Sequence, residues 1–591
     1  MKENYKILEL AQSGSWGIIS IALKEEKTLL NSYSPSRLYL DAITDLIKLG
    51  KKKEALDLID LSLNVYPNSA TLHNIKGLVY QLKESHGLAV KSYKQALKLL
   101  PEYSLAWNNL GTIYSGLNML SDALTCYKHA VHHNPEYSDA IWNLANGQFC
   151  INEFDDCILN CKKLLTSDKK SNAYYLMGLI CRKRESYDAA IKLFKKALKS
   201  SSIRFYDAEF ELATCFANTN NFSAALSTYY SMVESPTLGS KAYASIGLVL
   251  SRLGRLKESL KNFAQAMSMG EESEDALNGY ALVLNDFGDH DFADAIFTKA
   301  LKIYHESFNT NFNYGVHLHN SKMYKQSQEY ITKSLRLDPT DISLKKMAYG
   351  YFLKNEYELG GYLKIKSELE TISPSYVSAM SGFIAAKTKE KCNQHVKNEY
   401  CENPLFYFRH QSLPNDNHFN EEILQNVREL FEANTFDLKD QKLLHNGVQT
   451  AGNLLSYEHS DISKLRELIL RKLEEYKSEF ESAADGVIKY WPQQYMIHAW
   501  LVSISSGGKL DPHIHENSWI SGSIYISVPE LEGDEGAIVV SESDEDSSYI
   551  RRITTLKSYD MCIFPASLCH HTLPFSSDEP RITLAFDVIP I

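Results

Sequence analysis

A helical solenoid followed by a domain of short antiparallel strands is the fold class this sequence predicts, and three observations predict it. Small and aromatic residues recur at a fixed 34-residue interval over much of the chain. Within each interval the apolar positions lie three and four apart, the spacing of one helix face. Beyond Trp491-Pro492 that pattern gives way to short runs rich in Ile, Val and Tyr, separated by Gly, Pro and Asp, which is how strands and their turns are written.

The totals bound the reading. At 591 residues the chain is too long for a single core, so roughly two to four domains are expected. Apolar residues make up 44% and charged residues 23%, as in an ordinary globular protein. With 62 Lys and Arg against 73 Asp and Glu the net charge is −11, which argues against a nucleic-acid binder that works by neutralising phosphates. No run approaches the ~20 apolar residues a membrane span requires. Met1-Lys2-Glu3-Asn4-Tyr5 lacks the apolar core of a signal peptide. The ten cysteines are scattered without zinc-site spacing. Cys157 and Cys161, four apart on a predicted helix, read as buried thiols. Reduced thiols in a cytoplasmic protein are the expectation. Nothing in the residues fixes the oligomeric state.

The repeat is plainest in two copies. Gly77, Tyr80, Ala89, Tyr93, Ala96 and Pro101 recur 34 residues on as Gly111, Tyr114, Ala123, Tyr127, Ala130 and Pro135. Gly178, Ala190, Phe194 and Ala197 mark a looser copy, as do Gly247, Phe263 and Ala266, then Ala281, Phe297 and Ala300. Gly315, Tyr330, Ser334 and Pro339 close the clear series. This resembles the tetratricopeptide repeat. A small residue is needed where the two helices of a unit meet, an aromatic fills the groove between them, and units that cannot bury their apolar faces alone must stack. The expected organisation is a helical segment over 1–34, about ten repeats over 35–376, a helical linker over 377–403 and a β-rich domain over 404–591. The resemblance implies a concave groove that takes a protein or extended peptide.

In the last part, Pro404–Phe408 reads as a strand, Asn420–Ala433 and Ser463–Ser482 as amphipathic helices, and His445–Leu454 as a turn-rich loop. Strands are expected at Tyr495–Ser505, Ser521–Val528, Ala537–Ser541, Met561–Phe564 and Arg581–Ile589, with the acidic run Ser541–Ser548 as a solvated hairpin tip.

Two segments carry the chemistry. The first is His513-Ile514-His515-Glu516-Asn517-Ser518-Trp519-Ile520-Ser521-Gly522-Ser523-Ile524-Tyr525. The second runs from Phe564-Pro565 through His570-His571 to Arg581-Ile582-Thr583. In an extended strand His513 and His515 face the same side, and a distal His would complete a mononuclear metal site. Together the segments resemble the iron(II)- and 2-oxoglutarate-dependent oxygenases, over roughly residues 405–591. The resemblance implies a double-stranded β-helix (jelly roll), with Fe(II) held by His513, His515 and the distal His570. It also implies 2-oxoglutarate as cosubstrate, bound through its far carboxylate by Arg581 with Thr583 beside it, and O₂ as oxidant. Tyr525 is a candidate to line that pocket. An Arg fork suits a carboxylate because it binds bidentately. No further catalytic side chain is implied beyond the metal centre.

The chain departs from the family pattern at 515, where many relatives have Asp. Either a third imidazole binds iron, or His515 stays out and iron rests on two histidines and water, as in the aspartyl and asparaginyl β-hydroxylases, which also follow a tetratricopeptide-like region. A halogenase-like vacancy is a further option. His570 is favoured over His571 as the distal ligand by its spacing of six from Phe564. His498 and His445 read as ordinary core or surface histidines. The implied activity is a dioxygenase that hydroxylates a side chain of a captured protein or peptide. A small-molecule hydroxylase and an inactive interaction scaffold are the alternatives.

Overall fold

The computed structural model describes the chain except residues 1, 31–34, 36, 338–340, 416–418, 440, 458 and 545–550. Pro339, the 31–34 end of the N-terminal segment and residues 545–548 of the acidic tip expected at Ser541–Ser548 lie outside the described residues. Two compact units are present, Met1–Cys215 and Phe216–Ile591.

The first unit is a stack of helical hairpins. Its pairs are Lys2–Gln12 with Trp16–Leu30, Arg37–Lys48 with Lys52–Val65, Ala70–Leu82 with His86–Leu99, Ser104–Gly116 with Leu120–His133, Ser138–Cys150 with Phe154–Lys163, and Lys170–Lys183 with Tyr187–Ser200. The turn inside each pair is built the same way. A residue of positive φ ends the first helix, at Gly14, Gly50, Glu84, Asn118, Asn152 and Glu185. The next N–H then bonds the carbonyl five residues back, as Lys51 to Leu46, Ser85 to Tyr80 and Met119 to Tyr114. This left-handed C-terminal cap closes the helix whatever the side chain, although only Gly adopts it freely.

The small-to-aromatic offset has a direct steric cause. A Cβ on Gly77, Gly111 or Gly178 would lie 2.6 to 2.7 Å from the rings of Tyr93, Tyr127 or Phe194. Gly111→Ala should therefore lower the urea midpoint, the overlap with Tyr127 costing about 1–3 kcal/mol. Gly116→Ala, at the end of the same helix with no atom within 4 Å of the new methyl, should raise it by up to about 1 kcal/mol through helix propensity. Cys157 and Cys161 are fully buried in this unit, as expected.

The second unit opens with the same hairpins, their left-handed turns at Asn220, Gly254, Gly288, Lys322 and Gly360. The helix Ile342–Glu358 pairs with Tyr362–Glu370, and Ala379–Cys392 follows with a Ser378/Ser381 capping box. The strands are β1 (Arg409–Ser412), β2 (Leu438–Lys439), β3 (Leu444–Thr450), β4 (Tyr495–His513), β5 (Ile520–Ser527), β6 (Ile538–Ser541), β7 (Arg551–Thr554), β8 (Asp560–Pro565), β9 (Cys569–Thr572) and β10 (Arg581–Pro590). They form an antiparallel sheet in the order β1-β8-β5-β10-β4-β9-β6-β7, with β3 added on β4 and β2 on β3. The domain is a jelly roll. Its long strand β4 changes partner along its length, from β10 over Tyr495–Ile504 to β9 at Leu510 and His513.

Alternation along β10 separates a core from a cavity. Ile582, Leu584, Phe586 and Val588 are buried and pack with Leu465, Ile469 and Leu473 of the helix Ser460–Glu479. Arg581, Thr583, Ala585 and Asp587 face the other way and line a cavity.

Three local expectations are corrected. Pro404–Tyr407 is a 3₁₀ turn, closed by Phe406 and Phe408 N–H bonds to Asn403 and Leu405, and the strand begins only at Arg409. His445–Thr450 is strand rather than loop: Asn446, at φ 48°, forms a bulge against β4. Strand β4 does not stop at Ser505, because Gly507-Gly508 bends it without ending it. A Cβ on Gly508 would meet the His445 carbonyl at 2.7 Å.

Candidate metal centre and cosubstrate pocket

His513 closes β4, and His570 sits opposite it in β9, the two being register partners. His515 lies just past the strand, not within it as the alternation assumed, yet it comes to the same place. One ligand nitrogen from each of His513, His515 and His570 falls within 4.8 Å of the others. Among the described residues this is the one group of three such side chains that could hold a metal ion. His571 also lines the cavity but is not one of the three side chains whose nitrogens converge.

Hydrogen bonds orient all three rings alike. His513 Nδ1 is 2.8 Å from the Asp511 carbonyl and His570 Nδ1 3.1 Å from the Leu568 carbonyl. His515 Nδ1 is 2.6 Å from Asp587 Oδ1, and Ser521 Oγ donates to the same oxygen at 2.7 Å. With each Nδ1–H committed to an oxygen, each Nε2 presents its lone pair. The Nε2 atoms of His513 and His515 are 3.2 Å apart. Two nitrogens bound at about 2.1 Å to one ion and at right angles to it would be separated by about 3.0 Å. The residues therefore fit a divalent ion that accepts imidazole, Fe(II) among them.

Burial, first, and the neighbouring imidazoles push His513 down to about 4 and His570 well below its ordinary value. Both are neutral, ligand-ready rings near pH 7. In the unfolded chain they would titrate near 6.5, so the unfolded state takes up protons that the folded state refuses. Stability of the metal-free protein is present above about 6.5 and lost as the pH falls from there toward about 4. Thermal melts across that window should show the midpoint falling, with a smaller fall in a His513→Gln variant.

Tyr525 and Arg581 form the other end of the cavity. Arg581 is 2% exposed, its guanidinium 5.0 Å from the centre of the Tyr525 ring. Its Nε and Nη1 are buried with no hydrogen-bond partner among the described residues. A buried guanidinium with two open donors fits an incoming carboxylate and little else. Thr583 lines the cavity two residues on. The cavity, of about 700 Å³, holds the three imidazoles, Arg581, Thr583 and Tyr525 in its walls.

Residues 498–587 match the family described as "Putative 2OG-Fe(II) oxygenase", and residues 105–137 and 171–203 match "Tetratricopeptide repeat". The chain joins a tetratricopeptide-repeat region to a C-terminal 2OG-Fe(II) oxygenase domain. Among solved structures it is similar to pilF of Pseudomonas aeruginosa (16% identity, 34% of this chain and 92% of that one, TM-score 0.31). It is also similar to a tetratricopeptide repeat protein of Parabacteroides merdae (16%, 42% and 97%, TM-score 0.33) and to MamA (23%, 27% and 93%, TM-score 0.25). No curated protein matches the chain. No helix among the described residues is long and apolar enough to cross a membrane.

The motif of the oxygenase domain has a physical reading. Ser521 reaches Asp587, while Gly522 is needed on the opposite face, where a Cβ would run into the Phe586 ring. Trp519 is core: its indole N–H donates to the Val487 carbonyl at 2.8 Å. His445 pairs with Asp511 at 2.7 Å near the surface. His498, read as ordinary, instead faces the cavity. Glu516 turns away from the imidazoles to bond Lys354 of the helix Ile342–Glu358 at 2.6 Å. Asp587 was missed altogether. The signal that could have found it is the two-residue alternation from Arg581 through Thr583 and Ala585.

Proposed function

We propose that the protein is an Fe(II)- and 2-oxoglutarate-dependent dioxygenase that hydroxylates a side chain of a protein or peptide delivered by its repeats. The observation that carries this is one cavity walled both by three convergent Nε2 atoms and by a buried Arg with open donors. His513, His515 and His570 hold the iron; Arg581, with Thr583 and Tyr525 beside it, holds the far carboxylate of 2-oxoglutarate. Together iron, 2-oxoglutarate and O₂ supply the oxidation, in which 2-oxoglutarate becomes succinate and CO₂ and a substrate C–H becomes C–OH.

The chain's own part is to bind, orient and dry the site. Asp587 and the two backbone carbonyls hold the imidazole tautomers. The apolar row Trp500, Val502 and Ile504 and the helix residues Met380 and Phe383 line the cavity and limit water in it. Tyr357, Lys354 and His319, from hairpins of the repeat type, also line it. That supports a substrate that touches repeats and oxygenase domain together, as a peptide segment would.

The test is anaerobic titration of the full chain with Fe(II) and 2-oxoglutarate, watching for the weak visible charge-transfer band of a keto-acid on iron. Oxygenation follows, with succinate quantified and co-purifying proteins searched for a one-oxygen mass gain. A band, succinate and an oxidised partner residue support the proposal. Absence of iron binding together with absence of succinate would leave an interaction scaffold in its place.

A further inference from the structure

Among the described residues four Lys and Arg side chains line the cavity, and they differ in what neutralises them. Lys354 is bonded to Glu516 at 2.6 Å and Lys387 to Asp544 at 2.9 Å. Arg581 has no carboxylate and is taken by the cosubstrate on the reading above. Lys439 is the fourth. Among the described residues no carboxylate pairs with it, and burial is the one cause that pushes its ammonium below the usual lysine range.

Its place in the sheet is defined by register. Lys439 of β2 opposes Gln449 of β3, Gln449 opposes Val502 of β4, Val502 opposes Thr583 of β10, and Thr583 opposes Tyr525 of β5. These five residues form one row across five strands, and all five line the cavity. At the usual spacing of adjacent strands, three steps put Lys439 about 14 Å from Thr583. Among the described residues the cavity wall thus carries two cations without a carboxylate partner, Arg581 and Lys439, on strands set apart in the sheet. Gln449 adds to the Lys439 end: it is 5% exposed, and no described residue hydrogen-bonds its side-chain amide. His498 faces the same space.

We infer that Lys439, with Gln449, forms a second subsite that binds an anionic group of the substrate while Arg581 holds the cosubstrate. Among the described residues, a part-buried lysine with no carboxylate partner and an amide with no hydrogen bond share one cavity wall. A ligand with a negative group gains a charge-assisted hydrogen bond there. The inference rests on the dioxygenase reading for the direction of the cavity, and it names the substrate class: one carrying an anionic group, such as an acidic side chain. A carboxylate and a phosphate share this chemistry, and the test separates them.

The full chain is titrated by calorimetry with N-acetyl-aspartate amide, inorganic phosphate and the neutral N-acetyl-asparagine amide. Each titration is run with and without saturating Mn(II) and N-oxalylglycine, which fill the imidazole and Arg581 end. The aspartate probe should bind about tenfold more tightly than the asparagine probe with that end filled. Lys439→Met should remove the difference and Lys439→Arg should keep it. Lys439→Gln is run in parallel, in case the larger change unfolds β2. Phosphate binding that depends on Lys439 and exceeds that of the aspartate probe would support the subsite and assign it to a phosphorylated substrate. Equal affinity for the aspartate and asparagine probes without phosphate binding, or discrimination unchanged in Lys439→Met, overturns the inference. Failure of N-oxalylglycine to bind counts against the dioxygenase reading alone, because the anion titrations are also run without it.

Discussion

Arg581→Met is expected to raise the dissociation constant for 2-oxoglutarate about a hundredfold, close to 3 kcal/mol, with Fe(II) affinity unchanged. The size follows from burial. A surface Arg could be replaced by water, but at 2% exposure the guanidinium has no solvent to fall back on. Removing it leaves the cosubstrate carboxylate desolvated and unpaired. The same burial predicts an effect of opposite sign on the unliganded protein. Nε and Nη1 lack partners there among the described residues, so the wild-type protein carries the desolvation cost without the compensating anion. Arg581→Met should melt no lower than wild type when 2-oxoglutarate is absent, and lower than wild type when it is saturating. A loss of melting temperature in both conditions would mean that Arg581 is a structural cation and that the cosubstrate lies elsewhere.

How far the sequence reached depended on whether a feature was periodic or contingent. Helical hairpins were legible because steric demand repeats: Gly77, Gly111, Gly178 and Gly247 each face an aromatic ring one helix on. The turns between paired helices were not. Glu84, Glu185 and Lys322 take the same left-handed cap that Gly50 and Gly254 take, and nothing in Glu or Lys announces it. In the oxygenase domain the roles of His513, His570 and Arg581 were expected from the resemblance to the 2-oxoglutarate oxygenases, and strands β5 and β10 from their β-rich runs. Asn446-Gly447 misled, since it reads as part of a turn-rich loop until the neighbouring strand shows that it is a bulge. Lys439 could not have been found, because β2 is two residues long and only the register of three other strands places it beside the site.

The open question at position 515 is where a carboxylate partner for His515 decides the chemistry. Asp587 is 8% exposed, receives hydrogen bonds from His515 and Ser521, and is held below the usual carboxylate range against its burial by His515 first among its partners. An ionised carboxylate on Nδ1 fixes the tautomer and raises the basicity of Nε2, which is what a metal ligand requires and a bystander does not. If His515 binds iron, Asp587→Ala should weaken Fe(II) about 10- to 100-fold, as loss of such partners does at other metal sites. Asp587→Asn should weaken it less, since the amide oxygen can still accept from Nδ1–H. The decisive measurement is a double-mutant cycle on Fe(II) affinity. On a His515→Ala background, Asp587→Ala should add almost nothing, because the residue it acts through is gone. If His515 stands outside the coordination sphere, Asp587→Ala lowers the melting temperature while iron affinity stays at its wild-type value. The melting temperature alone cannot separate these cases, because a buried carboxylate that loses its partner is destabilising either way. Metal affinity can, since only a ligand transmits the loss of Asp587 to the ion.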